Sequence, residues 1–402
     1  MKLAQRVQSL KPSPTLALAA KAKELSAQGH NVIALSVGEP DWDSFESAKT
    51  AGIQAIQSGF SKYTPSNGIP ELRQAIAKQT LKETGVQYSA DEVTVSTGGK
   101  FIIFSALQTL LSRGDEVLIP APYWVSYPTM VELAEGTPVI IVCDESVGFK
   151  LTPALLEKSI TPQTRLLILN SPSNPTGVMY SKEDLKALAQ VLQKHPNVLI
   201  MSDDIYNRLV FDGGEGGSVA PHLLHVAPEL KDRILIVNGA AKTFSMTGWR
   251  VGWGVGPLAW IKAMTNYQSQ SVSCAASFAQ KATLQAILEG EAELKSALVQ
   301  LKKRRDAAVA WLREVPGVTV SDPNGAFYVW PNIRSHFGKK WNGRALQNSS
   351  DFSQALLEDQ KVVCVPGQEF GLDGYLRISY VVNDAAMKEA VERLKAFVAK
   401  LS

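Results

Sequence analysis

At 402 residues and 45% hydrophobic content, the chain has the material for a large core, and its length predicts two domains. The 41 Lys and Arg nearly balance the 38 Asp and Glu, leaving a net charge of +3, which excludes the strongly basic surface expected of a nucleic-acid or acidic-membrane binder. Chemistry on small molecules is expected instead. The three cysteines, Cys143, Cys274 and Cys364, are odd in number, far apart and without CxxC spacing, arguing against a disulfide framework and for a reducing compartment. The first residues hold no uninterrupted apolar stretch, and no later run approaches a membrane span. The reading is a cytoplasmic protein with no membrane and no nucleic-acid partner.

In chain order, residues 1–45 predict an arm with one helix near 15–28 and an extended run at 32–37 that ends in Gly38-Glu39-Pro40-Asp41. A helix over about 47–58 precedes the turn-rich stretch Lys62-Tyr63-Thr64-Pro65-Ser66-Asn67-Gly68-Ile69-Pro70, and another starts near Glu71. Six short apolar runs follow, at 93–95, 117–119, 139–142, 166–169, 198–201 and 234–237, alternating with helical or loop segments. Such a pattern predicts an α/β fold with a mostly parallel sheet between two layers of helices. Ser181 and Asp184 have capping-box spacing, and Leu185, Leu188 and Leu192 recur at helical period behind them. Past residue 290 the composition shifts to a long charged amphipathic helix over 291–315, strand-like runs at 327–330 and 377–381, and a final helix from Asp384. The expected division is an arm and part of a small domain at 1–45, a large three-layer domain at 46–290, and a smaller α+β domain at 291–402. The cluster Gly213-Gly214-Glu215-Gly216-Gly217 is expected to be a loop. Gly252-Trp253-Gly254-Val255-Gly256 lacks the spacing and context of a dinucleotide fingerprint.

In such a sheet, ligands bind beyond the carboxyl ends of the strands, and unusual residues collect there. Asn238 to Trp253 sets Lys242 among small and hydroxyl residues, with Arg250 eight positions on. A lysine partly desolvated in this way has a lowered pKa and can form a Schiff base, and an arginine fork can clamp a phosphate. Ser96-Thr97-Gly98-Gly99-Lys100 is a Gly-rich turn entering a helix, able to cradle a phosphate on free amides. Lys100 opposes the helix dipole there and calls for a compensating anion. Trp124 follows the second run as either a core ring or a flat platform, and Asn174, between Pro172 and Pro175, is either a surface turn or a rigidly aimed amide. Asp203 ends a buried strand with Tyr206 three residues on, and a buried acid in that position is expected to face a cation.

Ser171 to Gly177, Asp203 with Tyr206, Ala240-Ala241-Lys242 with Thr247-Gly248-Trp249-Arg250, and Arg377-Ile378-Ser379 together resemble the fold-type I, class I aminotransferases that use pyridoxal 5'-phosphate. Lys11-Pro12-Ser13-Pro14-Thr15, the run from Tyr63 to Arg73, and Gly98-Gly99-Lys100 are most similar to the Ib subgroup of aspartate aminotransferases. The resemblance covers essentially the whole chain. It implies that Lys242, Asp203 and Tyr206 are catalytic. Lys242 forms the Schiff base and moves the proton, Asp203 pairs with the pyridinium nitrogen, and Tyr206 and Asn174 meet the ring's 3-oxygen. Trp124 stacks on the ring, and Gly98, Gly99 and Arg250 hold the phosphate with Tyr63 from the second subunit of a homodimer. Arg377, helped by Gly38, Trp124 and Asn174, binds the substrate α-carboxylate, while Lys100, Ser13 and Thr15 meet a distal one. Gly239 departs from the wider family, where a serine that touches the phosphate is common. The implied reaction joins amino acids and 2-oxo acids, with aspartate or glutamate as donor and no metal. Alternatives on the same scaffold are a prephenate or broad-specificity aminotransferase, a carbon-sulfur β-lyase, and a non-catalytic ligand sensor.

Overall fold

The computed structural model describes every residue except 2, 9, 11–13 and 212–218, so the glycine cluster at 213–217 lies outside the described residues. A seven-stranded sheet forms the centre: β1 (Val93–Ser96), β2 (Glu116–Ala121), β3 (Thr137–Val142), β4 (Thr164–Asn170), β5 (Leu199–Asp203), β6 (Ile234–Gly239) and β7 (Gly252–Val255). Their order is β1-β7-β6-β5-β4-β2-β3. The block from β3 to β6 is parallel, whereas β7 is antiparallel to both β6 and β1. β1 to β6 are the six apolar runs of the sequence. β7 was not foreseen, because glycine weakens a strand and hides its pattern.

Successive residues of the inner strands are buried on opposite faces. Leu167, Leu169 and Ile200 join one apolar cluster, and Leu166, Ile168 and Met201 the other, which is why these strands read as continuous apolar runs. Leu185, Leu188 and Leu192 of the helix Lys182–Lys194 cover the first face. Ile102, Ile103 and Leu107 of Gly99–Leu110, with Trp260 and Met264 of Leu258–Ser269, cover the second. Each such side chain contributes roughly 1.5 to 3 kcal/mol on burial. The predicted capping box is formed: the Asp184 amide donates to Ser181 Oγ at 3.1 Å, and the Ser181 amide donates to Asp184 Oδ2 at 2.9 Å.

A second group of elements flanks this sheet. Ile33–Ala34 pairs in parallel with Val362–Val363, so the amino-terminal run joins the carboxyl-terminal part of the chain. Val365–Pro366, Leu376–Ser379 and Tyr328–Val329 make a three-stranded antiparallel sheet, packed with the helices Glu291–Arg313, Ser349–Gln360 and Asp384–Val398. Residues 38–45 lie as a strap over the loop after β6. Ser44 Oγ donates to the Ser245 carbonyl at 2.7 Å, Ser245 Oγ donates to the Trp42 carbonyl at 2.6 Å, and Thr247 Oγ1 donates to Glu39 Oε2 at 2.8 Å.

Candidate active site

A cavity of about 350 Å³ opens at the carboxyl ends of β1, β4, β5 and β6. The register that pairs Asn170 with Asp203, and Asp203 with Val237, brings these strand ends level. Lys242 enters from the short helix Ala240–Thr243 directly after β6. Its ammonium donates to the Gly38 carbonyl, and burial, followed by the nearby Arg377 charge, pushes its pKa down to about 8. The desolvation expected from its small neighbours is therefore present.

Asp203 is buried at the end of β5. No Lys, Arg or His among the described residues lies within ion-pair distance of it, so the cation expected there is not a side chain of the described residues. Instead Tyr127 Oη donates to Oδ2, and the Ile205 amide donates to Oδ1 at 3.3 Å. Burial outweighs these donors and raises its pKa to about 6. Beside it, Asn170 Nδ2 donates to the Asp203 carbonyl at 2.8 Å, and Asn170 Oδ1 accepts from the Asn174 amide at 2.8 Å. The turn that carries Asn174 is thus tied to the strand that carries Asp203.

Arg377 is buried on Leu376–Ser379. Its Nη1 donates to Asn174 Oδ1 at 3.1 Å and its Nη2 to the Ser36 carbonyl at 2.6 Å, and its guanidinium lies over the Tyr328 ring at 4.5 Å. Nε has no partner, which leaves a buried donor available to a guest. The Tyr206 and Tyr328 hydroxyls meet at 2.9 Å, and burial, with Tyr328 beside it, raises the Tyr206 phenol well above its ordinary value. Lys100 has no carboxylate within ion-pair distance among the described residues. Its ammonium sits 4.9 Å from the Trp124 ring centre, a ring face that favours a cation. Desolvation and then Arg250 lower its pKa.

The helix Gly99–Leu110 starts without a side-chain cap, and Gly98 takes φ +95°. A Cβ on Gly98 would stand 2.6 Å from the Arg250 guanidinium. The Gly98 amide is taken by the Ser96 carbonyl at 2.8 Å, so the amides of Gly99 and Lys100 and a guanidinium share one small space, a suitable seat for a phosphate. Arg250 itself adopts φ +56°, and Ser245 in the same loop adopts +52°. At Gly239, a Cβ would meet the Val251 carbonyl at 3.0 Å and Gly252 Cα at 3.2 Å, so the backbone there leaves little space for a side chain.

Gly38, Gly99, Lys100 and Trp124 line the cavity, as do Asn174, Asp203, Tyr206, Lys242, Arg250 and Arg377. Gly98 adjoins it through Arg250. Tyr63 does not reach it and is 91% exposed. Ser13 and the Thr15 side chain lie outside the described residues. Tyr127, Asn170 and Tyr328 were missed. Tyr127 and Tyr328 sit within apolar stretches that read as core, and Asn170 read as the start of a turn. The pairing of Asn170 with Asp203 spans 33 residues, and no local signal announces it.

A deep sheet-end cavity with a desolvated lysine, a buried acid and a phosphate seat defines the class of enzymes that bind an aldehyde cofactor on lysine. The family model described as aminotransferase class I and II matches residues 30–394, and the chain belongs to that pyridoxal 5'-phosphate-dependent family of aminotransferases. It is 47% identical to the aspartate/prephenate aminotransferase of Cereibacter sphaeroides, over 100% of this chain and 99% of that protein. The crystal structure of the aspartate aminotransferase from Rhizobium meliloti superimposes with a TM-score of 0.95 at 43% identity, covering 100% of both chains. The Thermus thermophilus aspartate aminotransferase solved with maleate gives 0.91 at 38% identity, covering 99% of this chain and 100% of that one.

The residues present fit the cofactor. The acid with no cationic partner, the uncapped helix start beside Arg250, the Trp124 face and the Lys242 amine match its ring nitrogen, phosphate, ring and aldehyde in turn.

Proposed function

We propose that this aminotransferase moves an amino group between a dicarboxylic amino acid, aspartate or glutamate, and a 2-oxo acid, 2-oxoglutarate or oxaloacetate. The observation that carries this reading is the charge of the cavity. Lys100, Lys242, Arg250 and Arg377 line it, and Asp203 is its one lining carboxylate among the described residues. With Arg250 assigned to phosphate and Lys242 to the reacting carbon, two cations remain for two carboxylates. The names of the Rhizobium and Thermus relatives, and the dicarboxylate maleate in the latter, support it. Prephenate, which also has a second carboxylate, is the second reading, favoured by the name of the Cereibacter relative.

In this mechanism Arg377 grips the α-carboxylate as a fork, pre-aimed by Ser36 and Asn174. Trp124 would cover one face of the cofactor ring, and Tyr206 and Asn174 would hold its 3-oxygen. When bound, pyridoxal 5'-phosphate supplies an electron sink for the charge that develops at the α-carbon. Asp203 would keep the ring nitrogen protonated, and the Lys242 amine would take the proton from the α-carbon. Lys100, which lines the cavity, takes the distal carboxylate.

The same reading makes residues 46–290 the cofactor-binding unit, residues 1–45 with 291–402 the second unit, and the enzyme a cytoplasmic homodimer. Support for the dimer comes from the loop around Tyr63. Gln280 Nε2 donates to Thr64 Oγ1 at 2.9 Å, Gln280 Oε1 accepts from the Ile69 amide at 2.8 Å, and Gln268 donates to the Ser66 carbonyl. The loop is thus held firmly while its phenol is exposed and does not line its own cavity, which supports a role in a partner's site. No helix among the described residues is long and apolar enough to cross a membrane.

A donor panel with 2-oxoglutarate tests the substrate assignment. Losing a partly desolvated charge contact costs on the order of 2 to 5 kcal/mol, so Lys100→Ala should lower kcat/KM for aspartate and glutamate by about 30-fold or more. Alanine and aromatic donors should change far less, whereas Arg377→Ala should depress every donor. Equal losses for acidic and neutral donors in Lys100→Ala would reject the distal-carboxylate role and move Lys100 to the cofactor phosphate.

A further inference from the structure

We propose that Tyr127 is a positioning residue for the cofactor: its hydroxyl holds the Asp203 carboxylate while its ring packs at right angles against Trp124, so one side chain sets the two surfaces that meet the cofactor ring. The inference rests on the reading that Asp203 pairs with the ring nitrogen, and it assigns to Tyr127 a role that its sequence setting does not suggest.

Tyr127 begins the helix Tyr127–Leu133 and is only 2% exposed, within the apolar layer of Met130 and Val131. Its Oη donates to Asp203 Oδ2, 76 positions away in the chain. Its ring meets Trp124 edge-on, with centroids 5.4 Å apart and planes at 85°. Asp203 Oδ1 takes the Ile205 amide, so both carboxylate oxygens are tied, and each keeps a lone pair for a further donor. The two donors oppose burial, which favours the neutral acid. The phenol can fill this part at any working pH, because burial and then the Asp203 charge hold its pKa well above the ordinary value. A residue needed only for packing would serve equally well as phenylalanine. The hydroxyl is the part that packing does not explain, since a buried phenol without a partner is unfavourable and here it has one acceptor.

The test is Tyr127→Phe, read by the affinity of the cofactor-free protein for pyridoxal 5'-phosphate as a function of pH. Loss of a hydrogen bond to a charged group predicts affinity weaker by about tenfold or more near neutral pH. Because the variant's Asp203 protonates more readily, the deficit should shrink as pH is raised from about 6 to about 9. Unchanged affinity, or a deficit constant across that range, overturns the proposal and leaves Tyr127 a packing residue. Asp203→Asn serves as the reference. If it binds the cofactor as the parent does, the reading of Asp203 itself fails; if it is weakened while Tyr127→Phe is not, only the Tyr127 proposal fails. Should the Phe variant not fold, 3-fluorotyrosine at position 127 provides a stronger donor. It should lower the pH at which the Asp203 carboxyl band titrates in the infrared spectrum of the cofactor-free protein, and an unmoved or raised midpoint overturns the proposal.

Discussion

Lys242 shows how far a single side chain is decided by its surroundings. An ordinary lysine titrates near about 10.4; burial, then Arg377, takes this one down to about 8. Between those two values the unfolded chain binds a proton that the folded chain does not. This group therefore makes the cofactor-free protein more stable as pH rises through the window, and below about 8 the cost of the buried ammonium is present in full. The reactive neutral amine appears over the same interval. Coupling to the cofactor aldehyde, trapped with borohydride and located by mass spectrometry, should speed up with pH through about 8 and be lost in Lys242→Ala. A label that persists in that variant would place the reactive amine elsewhere. At this scale the sequence was legible where a residue's neighbours in the chain are also its neighbours in space. Small residues beside Lys242, two prolines around Asn174 and glycines before Lys100 all carried their message locally. Tyr127 and Tyr328 carried none, because a phenol in an apolar run looks like core until the distant acceptor is known.

Among the elements, β7 is the one the sequence concealed, and its glycines explain both the concealment and the need. A Cβ on Gly252 would stand 2.2 Å from the Gly99 nitrogen and 2.4 Å from the Gly98 carbonyl carbon. The strand can lie against the start of the helix Gly99–Leu110 only without a side chain. Gly254 is less tight, its nearest contact being the Ile102 side chain at 3.2 Å. Gly252→Ala should therefore cost about 1 to 3 kcal/mol or more and weaken cofactor binding by displacing the phosphate seat. Gly254→Ala should be milder on both counts. Denaturant midpoints and cofactor titrations of the two variants provide the check, and equal behaviour would refute the account. Five of the other six strands were legible because they are buried along most of their length, which writes an unbroken apolar run, and the edge strand β3 is apolar in sequence although Ile140 and Val142 are exposed. A strand made of glycines, held by close backbone approach, writes nothing of the kind.

For the molecule as a whole, the exposed Tyr63 on a firmly held loop carries the prediction that belongs to the proposed dimer. Tyr63→Phe and Lys242→Ala chains, each weak or inactive alone, should regain activity when mixed and allowed to exchange subunits, because one hybrid site then has both residues intact. A fully active monomer at assay concentration, or no recovery in verified hybrids, would defeat the arrangement. A different consequence follows from the direction of β7. Since it returns antiparallel to β6, with Gly239 opposite Gly252, the chain between them is a ring closed by the sheet, and it carries both Lys242 and Arg250. Ser245 and Arg250, in conformations that cost non-glycine residues on the order of 1 kcal/mol or more, are kinks in that ring, clasped from outside by Ser44, Trp42 and Glu39. A closed ring has a fixed circumference. The amine and the guanidinium are therefore bound to one contour length, whereas Arg377 stands on a separate sheet.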